Sequence, residues 1–336
     1  MKKRIFSMVM VCVMVIASIA PVQATEVGAE YEIVATTNVV EVDGFSFEIT
    51  EAVDENYNLT RTFERNFVPF SASTDYEFAN ALLLALGFTQ ETIDMMSSEA
   101  LASVATTTFA IANVSYSVQY DDGYRQVTPS YAYQRASYMN ELQAQYLETY
   151  GSIRPLNEDW YTRNINSGVM QIHHGAFRIG NSRTYLFATS GHWLSMPFAR
   201  LNGSIGQMGS NVSVNSHTIS AQASYLLPNG TRRFTPVTVG EDRDGNWEGA
   251  AGRFRLPEPS FLINNPHNFQ AVITFEGTVR GTGLDNYPMN TAGTYSHQSM
   301  AINFGSVGIS ARGISIGLSL AFSPTDITAP SIQIWR

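Results

Sequence analysis

The sequence predicts an α+β protein that is mostly β: an N-terminal β-hairpin region with a small helical insert, followed by an antiparallel β-sandwich or jelly-roll-like domain. Three observations lead there. From Tyr161 onward, short apolar-polar alternations recur between turn signals. Asp-Gly and Asn-Gly pairs stand between such runs, at Asp43-Gly44 and Asn229-Gly230. Only one early stretch, Thr74 to Thr106, changes clearly to helical spacing.

In chain order, Tyr31 to Val42 and Phe45 to Thr50 flank Asp43-Gly44 and read as a hairpin, and a turn over Asp54 to Asn58 leads to a strand at Leu59 to Glu64. Thr74 and Glu77 form a capping box ahead of Phe78, Ala81, Leu82 and Ala85, and Gly87 is placed to end that helix. Thr89 opens a second short helix and Ser97 or Ser98 a third. Alternation returns over Phe109 to Tyr120, followed by a turn at Asp121-Asp122-Gly123. Tyr138, Leu142 and Tyr146 stand four apart and predict one more helix. Strands are then expected at Val169 to Phe177, Thr184 to Thr189, Val212 to Leu227, Arg233 to Val239, Phe269 to Val279, Tyr295 to Phe304, Ser306 to Ala311 and Ile314 to Phe322.

Lys2, Lys3 and Arg4 precede an apolar run from Met8 to Ala17, and Val22-Gln23-Ala24 supplies a small-residue cleavage pattern. Residues 1–24 therefore read as a secretory signal peptide, and the run is too short for a comfortable membrane span. The expected product is secreted, extracellular or loosely wall-associated, with no transmembrane anchor after cleavage. Its expected organisation is an acidic α+β region over 25–160, with the helical insert at about 74–106, and a β-sandwich domain over 161–336. Ile334-Trp335-Arg336 carries no sorting motif, so retention at a wall is expected to need a non-covalent partner.

Cleavage after Ala24 would remove Cys12 and both lysines. That excludes disulfides, thiolate nucleophiles and lysine Schiff bases from the secreted form. Its 17 arginines face 29 carboxylates, and the imbalance is uneven: Thr25 to Ala100 holds 15 carboxylates and two arginines. Tyr161 to Gly240 holds six arginines, four of the six histidines and no Asp or Glu. A segment of that kind calls for an acidic partner, either outside the chain or in its own N-terminal region. Overall acidity and the lack of a basic stripe exclude nucleic acid.

Within that segment Arg178, Arg183, Arg232 and Arg233 are candidate anion ligands, since a guanidinium fork grips carboxylate, sulfate or phosphate. His192 and Trp193 join them as a polar tip and a flat face for a sugar ring. Asp242, Asp244, Asn246 and Glu248 place oxygen donors at alternate positions and form a candidate calcium loop, although Trp247 stands where an EF-hand needs glycine. No other cofactor is expected. His173 and His174, being adjacent, would face opposite ways in a strand and could not chelate one ion.

Phe187 to Trp193 superficially resembles the histidine turn of chymotrypsin-like proteases, but no Gly-Asp-Ser-Gly or Gly-x-Ser-x-Gly supplies a nucleophile. The N-terminal signal, the stretch Ala81 to Met96 and Tyr295-Ser-His-Gln-Ser with its following Gly/Ser-alternating strands resemble uncharacterised secreted proteins of Gram-positive bacteria. That resemblance implies an extracellular life and carries no activity. The expected role is a non-catalytic surface or exoprotein module binding an anionic cell-wall or extracellular polymer, or a protein. The alternatives are a glycan-active hydrolase using Asp121, Asp122, Asp242 or Glu248, and a pore-forming protein using the hairpin over Val307 to Phe322.

Overall fold

The computed structural model describes residues 35–65, 76–120, 123–150, 168–197, 202–244, 247–256, 267–280, 289–298, 306–310, 313–317, 325–328 and 332–334. The expected signal peptide, Thr74 of the capping box, Asp121, Asp122 and Asn246 lie outside them. Two antiparallel sheets and a separate hairpin carry the fold.

The first sheet opens with β1 (Ala35–Val42), β2 (Phe45–Val53) and β3 (Leu59–Glu64). Asp43 and Gly44 join the first two with φ of 48° and 82°, the doubly left-handed turn that Asp-Gly favours because it matches strand twist. The Asp54 carboxylate holds the next turn by accepting from the amides of Asn56 and Asn58 at 2.8 and 2.9 Å. The helical insert follows as α1 (Tyr76–Ala85), α2 (Gln90–Ile93) and α3 (Ser98–Ala105). Thr89 and Ser97 cap the latter two, each accepting from an amide three residues on. Gly87 (φ +97°) ends α1: its amide bonds the Leu84 carbonyl while the Phe88 amide bonds that of Leu83.

Next come β4 (Thr107–Tyr120), β5 (Gly123–Val127) and the long helix α4 (Pro129–Tyr150), then β6 (Val169–Ile179), β7 (Thr184–Ser195) and β8 (Asn202–Ser210). After them the chain forms β9 (Val212–Leu226), β10 (Arg232–Thr235), β11 (Val237–Asp244), β12 (Trp247–Arg255), β13 (His267–Val279) and β14 (Met289–Gln298). Four short strands close the series: β15 (Ser306–Ser310), β16 (Gly313–Gly317), β17 (Thr325–Thr328) and β18 (Ile332–Ile334). The ten-stranded sheet runs β1-β2-β3-β4-β6-β7-β13-β9-β10, with β5 beside β4. The six-stranded sheet runs β11-β12-β8-β14-β17, with β18 on β14. β15 and β16 pair only with each other.

Strand parity makes this a β-sandwich with helices on one outer face. Ile172, Phe187, Ile273 and Phe275 of the large sheet meet Ile205, Phe254 and Tyr295 of the small one in a single apolar core. The residues between them, such as Phe177, Leu186, Ala188 and Val272, point the other way and pack under α1–α3 with Phe47, Leu82, Leu83 and Phe88. Val114, Tyr116, Val118 and Val169 continue that face beneath Ala132 and Ala136 of α4.

β4, before residue 160, pairs with β6 after it, so the ten-stranded sheet draws on both expected regions. α4 forms as expected and buries Ala132, Ala136, Met139 and Leu142, while Tyr138 is exposed. Two expectations need correction. Arg233 to Val239 is two strands, interrupted at Pro236, which lacks a ladder donor. Finally, β5, β8 and β12 carry too few β-branched or aromatic residues in alternation to have been expected, and β17 and β18, though β-branched, are only four and three residues long.

Candidate functional site

The strand alternation that divides the two cores also leaves a polar row on the helix-facing side of the large sheet. Tyr116, Gln171, His192, Gln270 and Ser224 occupy facing register positions on β4, β6, β7, β13 and β9. Four inter-strand spacings make this row roughly 19 Å long. Gln171 Nε2 donates to the Tyr116 hydroxyl at 2.8 Å, and Arg232 on β10 reaches back to Ser224 Oγ at 3.2 Å. The segment between α2 and α3 flanks the Ser224 end, where Met95 Sδ accepts from Ser224 Oγ at 3.1 Å. α4 flanks the other end, where Tyr133 lies 5.7 Å from the Tyr116 ring.

At the centre, His192 Nε2 contacts Asn268 Oδ1, and Gln270 Nε2 donates to the same oxygen at 3.3 Å. An amide oxygen only accepts, so His192 carries its proton on Nε2 and presents Nδ1 as an acceptor. That Nδ1 has no partner, and neither does Gln270 Oε1. Burial lowers the His192 pKa, while the bond to Asn268 and the charge of Glu91 act weakly in the opposite sense. The imidazole is therefore neutral near pH 7. Two adjacent buried acceptors without donors are an unmet demand for an O–H or N–H group.

Beside the row, His173 is sealed beneath the insert with its ring 5.3 Å from Phe88. Burial, aided by the nearby Arg61 charge, pushes its pKa down to about 3. Arg61 is committed to Glu51 at 2.6 Å. On the opposite face His174 sits between the sheets with neither ring nitrogen in a well-formed hydrogen bond, and burial takes its pKa to about 3 as well, against a smaller upward pull from the Thr291 backbone.

The rims supply aromatic and cationic groups. Tyr131 and Tyr133 of α4 and Phe234 of β10 are exposed. Arg125 lies over the Tyr120 ring at 4.9 Å and Arg135 over that of Tyr138 at 5.4 Å.

Of the six expected ligand residues, His192 and Arg232 share this face. Trp193, one position along the strand, points into the inter-sheet core at 1% exposure and donates its indole N–H to the Tyr295 hydroxyl at 2.9 Å. Arg233 faces away from Arg232, opposite Tyr225. Arg178 is spent on the carbonyls of Ser182 and Asn181 in the β6–β7 turn. Arg183 lies near that same turn, at the Thr184↔Thr278 end of β13, whereas Leu226, the partner of Arg232, meets β13 at His267. Eleven residues of strand separate those ends, roughly 36 Å, so the four arginines form no single patch.

Of the expected calcium loop, Asp242 pairs in register with Gly249, Asp244 with Trp247 and Glu248 with Arg243, and Asn246 lies outside the described residues. The Glu248 carboxylate is turned to Arg280 and to the Val214 amide, the latter at 3.2 Å. Among the described residues no group of three His, Cys, Asp or Glu is placed to hold a metal. The acidic N-terminal stretch instead lines an open cleft of about 590 Å³ with Asp43, Glu77 and Asp94. It meets the C-terminal strands through the apolar cluster beneath α1–α3, not through described Arg–carboxylate pairs.

The polar row was missed because its members are neutral. Gln171 stands between Met170 and Ile172, and Gln270 between Phe269 and Ala271, in strands covered on both faces. A glutamine interrupting such an apolar run is the available signal.

No family model and no curated protein matches the chain. Several solved structures share parts of the fold. The collagen-binding subdomain of the Enterococcus faecalis surface protein ACE is 9% identical over 47% of this chain and 92% of its own, with a TM-score of 0.26. The collagen adhesin of S. aureus is 6% identical over 90% of this chain and 78% of its own, with a TM-score of 0.23. A structure concerning Streptococcus parasanguinis Fap1 fimbriae is 10% identical over 48% and 79%, again with a TM-score of 0.23. At such values the functional reading rests on this chain's own residues. No described helix is long and apolar enough to cross a membrane.

Proposed function

We propose that this protein is an extracellular, non-catalytic binding module for an anionic glycan or wall polymer, held along the polar row between α4 and the helical insert. The observation that carries the reading is the pair of unpartnered acceptors, His192 Nδ1 and Gln270 Oε1, side by side at the centre of the row. Sugar hydroxyls are donors of the kind they lack; Gln171, Gln270 and Ser224 are 5%, 1% and 0% exposed, so a sugar reaches them only where the cover over the row opens, with the partly exposed His192 as the way in. Tyr133 at one end offers a face for a sugar ring, and Arg232 at the other offers a permanent cation for an acidic substituent.

Gln270→Met tests this. The substitution keeps the length of the side chain and removes the unmet acceptor together with the long 3.3 Å bond to Asn268, two effects of opposite sign, so the free protein should stay within about 1 kcal/mol of the parent. Sedimentation with isolated cell walls should show saturable, salt-sensitive binding that Gln270→Met and Arg232→Ala both weaken. A Gln270→Met protein that folds and sediments like the parent would remove the row from the binding surface.

The hydrolase alternative has lost a named member, because Glu248 is enclosed with Arg280. It also finds no support in the row, whose described floor is made of amide, imidazole, hydroxyl and guanidinium groups.

A further inference from the structure

A second polar row lies on the outer face of the six-stranded sheet, on the far layer from the first. Thr238 of β11, Arg253 of β12, Ser204 of β8 and Ser296 of β14 stand opposite one another across four strands. Directly opposed residues share a face, so their side chains leave the sheet on the same side. Two residues further along β12, Arg255 repeats the arrangement opposite Asn202. Thr238, Arg253, Ser204, Arg255 and Asn202, with Pro236 at the β10–β11 corner, line a groove of about 300 Å³.

The groove runs from Thr238, which is exposed, past the partly buried Arg253 to Ser204, which is 2% exposed; Ser296 lies beyond its lining and is 1% exposed. Ser204 Oγ and Ser296 Oγ have no hydrogen-bond partner. No Asp or Glu is among the groove-lining residues, so the Arg253 guanidinium faces it without a carboxylate there.

We infer that this groove is a binding site for a tetrahedral oxyanion, sulfate or phosphate, held by Arg253 with Ser204 and Thr238. A guanidinium supplies two parallel N–H donors and a permanent charge. The hydroxyls on either side of Arg253 in the register supply donors from other directions, which suits a tetrahedral acceptor better than a planar carboxylate. Ser204 gains the partner that the protein does not give it. Arg255 and Asn202 lie along the groove where a chain carrying the anion would continue.

Calorimetric titration of the full chain with sodium sulfate and with sodium phosphate, against sodium chloride at matched ionic strength, tests the site. Dextran sulfate and poly(glycerol phosphate) serve as polymer-borne counterparts. Saturable binding is expected with the free ions, the polymers or both. Arg253→Gln should abolish it, Arg253→Lys should retain part, and Ser204→Ala should weaken it several-fold. Binding by the polymers alone would assign the site to an ester on a chain, and binding by the free ions as well would assign it to the anion itself. Ser204→Ala only removes an unbonded hydroxyl, so it remains informative if the arginine variants fold poorly. Heats no larger than those of chloride, or undiminished binding by a folded Arg253→Gln or Ser204→Ala protein, would overturn the assignment. Gln270→Met should leave this binding unchanged, which separates the two sites.

Discussion

Lowering the pH from 7 to 5 should destabilise this protein through His173 and His174. Each ring is enclosed, and burial is the main reason that each pKa stands at about 3 in the folded chain. An unfolded histidine titrates near 6.5. In the window between those values the unfolded chain binds protons that the folded chain refuses, so stability falls as pH falls. Each histidine should lose roughly 2 kcal/mol between pH 7 and pH 5, or roughly 4 kcal/mol for the pair. His192, lowered in the same direction, adds to the effect. Depressed carboxylates act mainly below this window, because their unfolded values lie near 4. Urea unfolding at pH 7, 6 and 5 measures the slope. His174→Leu, which replaces a ring with no well-formed hydrogen bond, should remove about half of it while leaving the pH 7 midpoint little changed. An unfolding midpoint that stays flat across the range, or an unaltered slope in His174→Leu, would refute this argument.

Three other perturbations have defined outcomes. Gly87→Ala should lower stability by about 1–2 kcal/mol in a urea titration, because φ is +97° there and the added Cβ would stand 2.3 Å from the Arg61 guanidinium. Arg280→Met strands the buried Glu248 carboxylate and should cost about 3 kcal/mol, while Arg280→Met with Glu248→Gln should recover much of that loss. Trp193→Phe breaks the indole bond to Tyr295 and opens space between the sheets, so a fall of several degrees in the melting temperature is expected by calorimetry.

Local chemistry made the first third of the fold legible. Asp43-Gly44 forces its hairpin, and Thr89, Ser97 and Gly87 mark the ends of the short helices as their side chains and φ angles require. The start of α4 carried a comparable signal in Thr128, whose hydroxyl accepts from the Tyr131 amide at 3.3 Å, followed by Pro129 in the first turn. The second sheet was harder to read because it is built from small residues. β8 reads Asn-Gly-Ser-Ile-Gly-Gln-Met-Gly-Ser, and a Cβ at Gly203 would stand 2.4 Å from the Phe254 ring. Glycine is there to admit an aromatic side chain from a neighbouring strand, a long-range requirement that strand propensity does not encode. The site was opaque for a related reason: charged residues drew attention to Arg178 and Arg183, while register gathered Gln171, His192 and Gln270, which are distant in sequence.

The most direct measurement is a binding comparison of the parent and Gln270→Met proteins on isolated cell walls, with unfolding free energies recorded on the same preparations. The polar row predicts that Gln270→Met stays within about 1 kcal/mol of the parent in stability and loses wall binding. Equal wall binding by two equally stable proteins would contradict it, because the unpartnered acceptor would then be a feature of the core and not of a recognition surface.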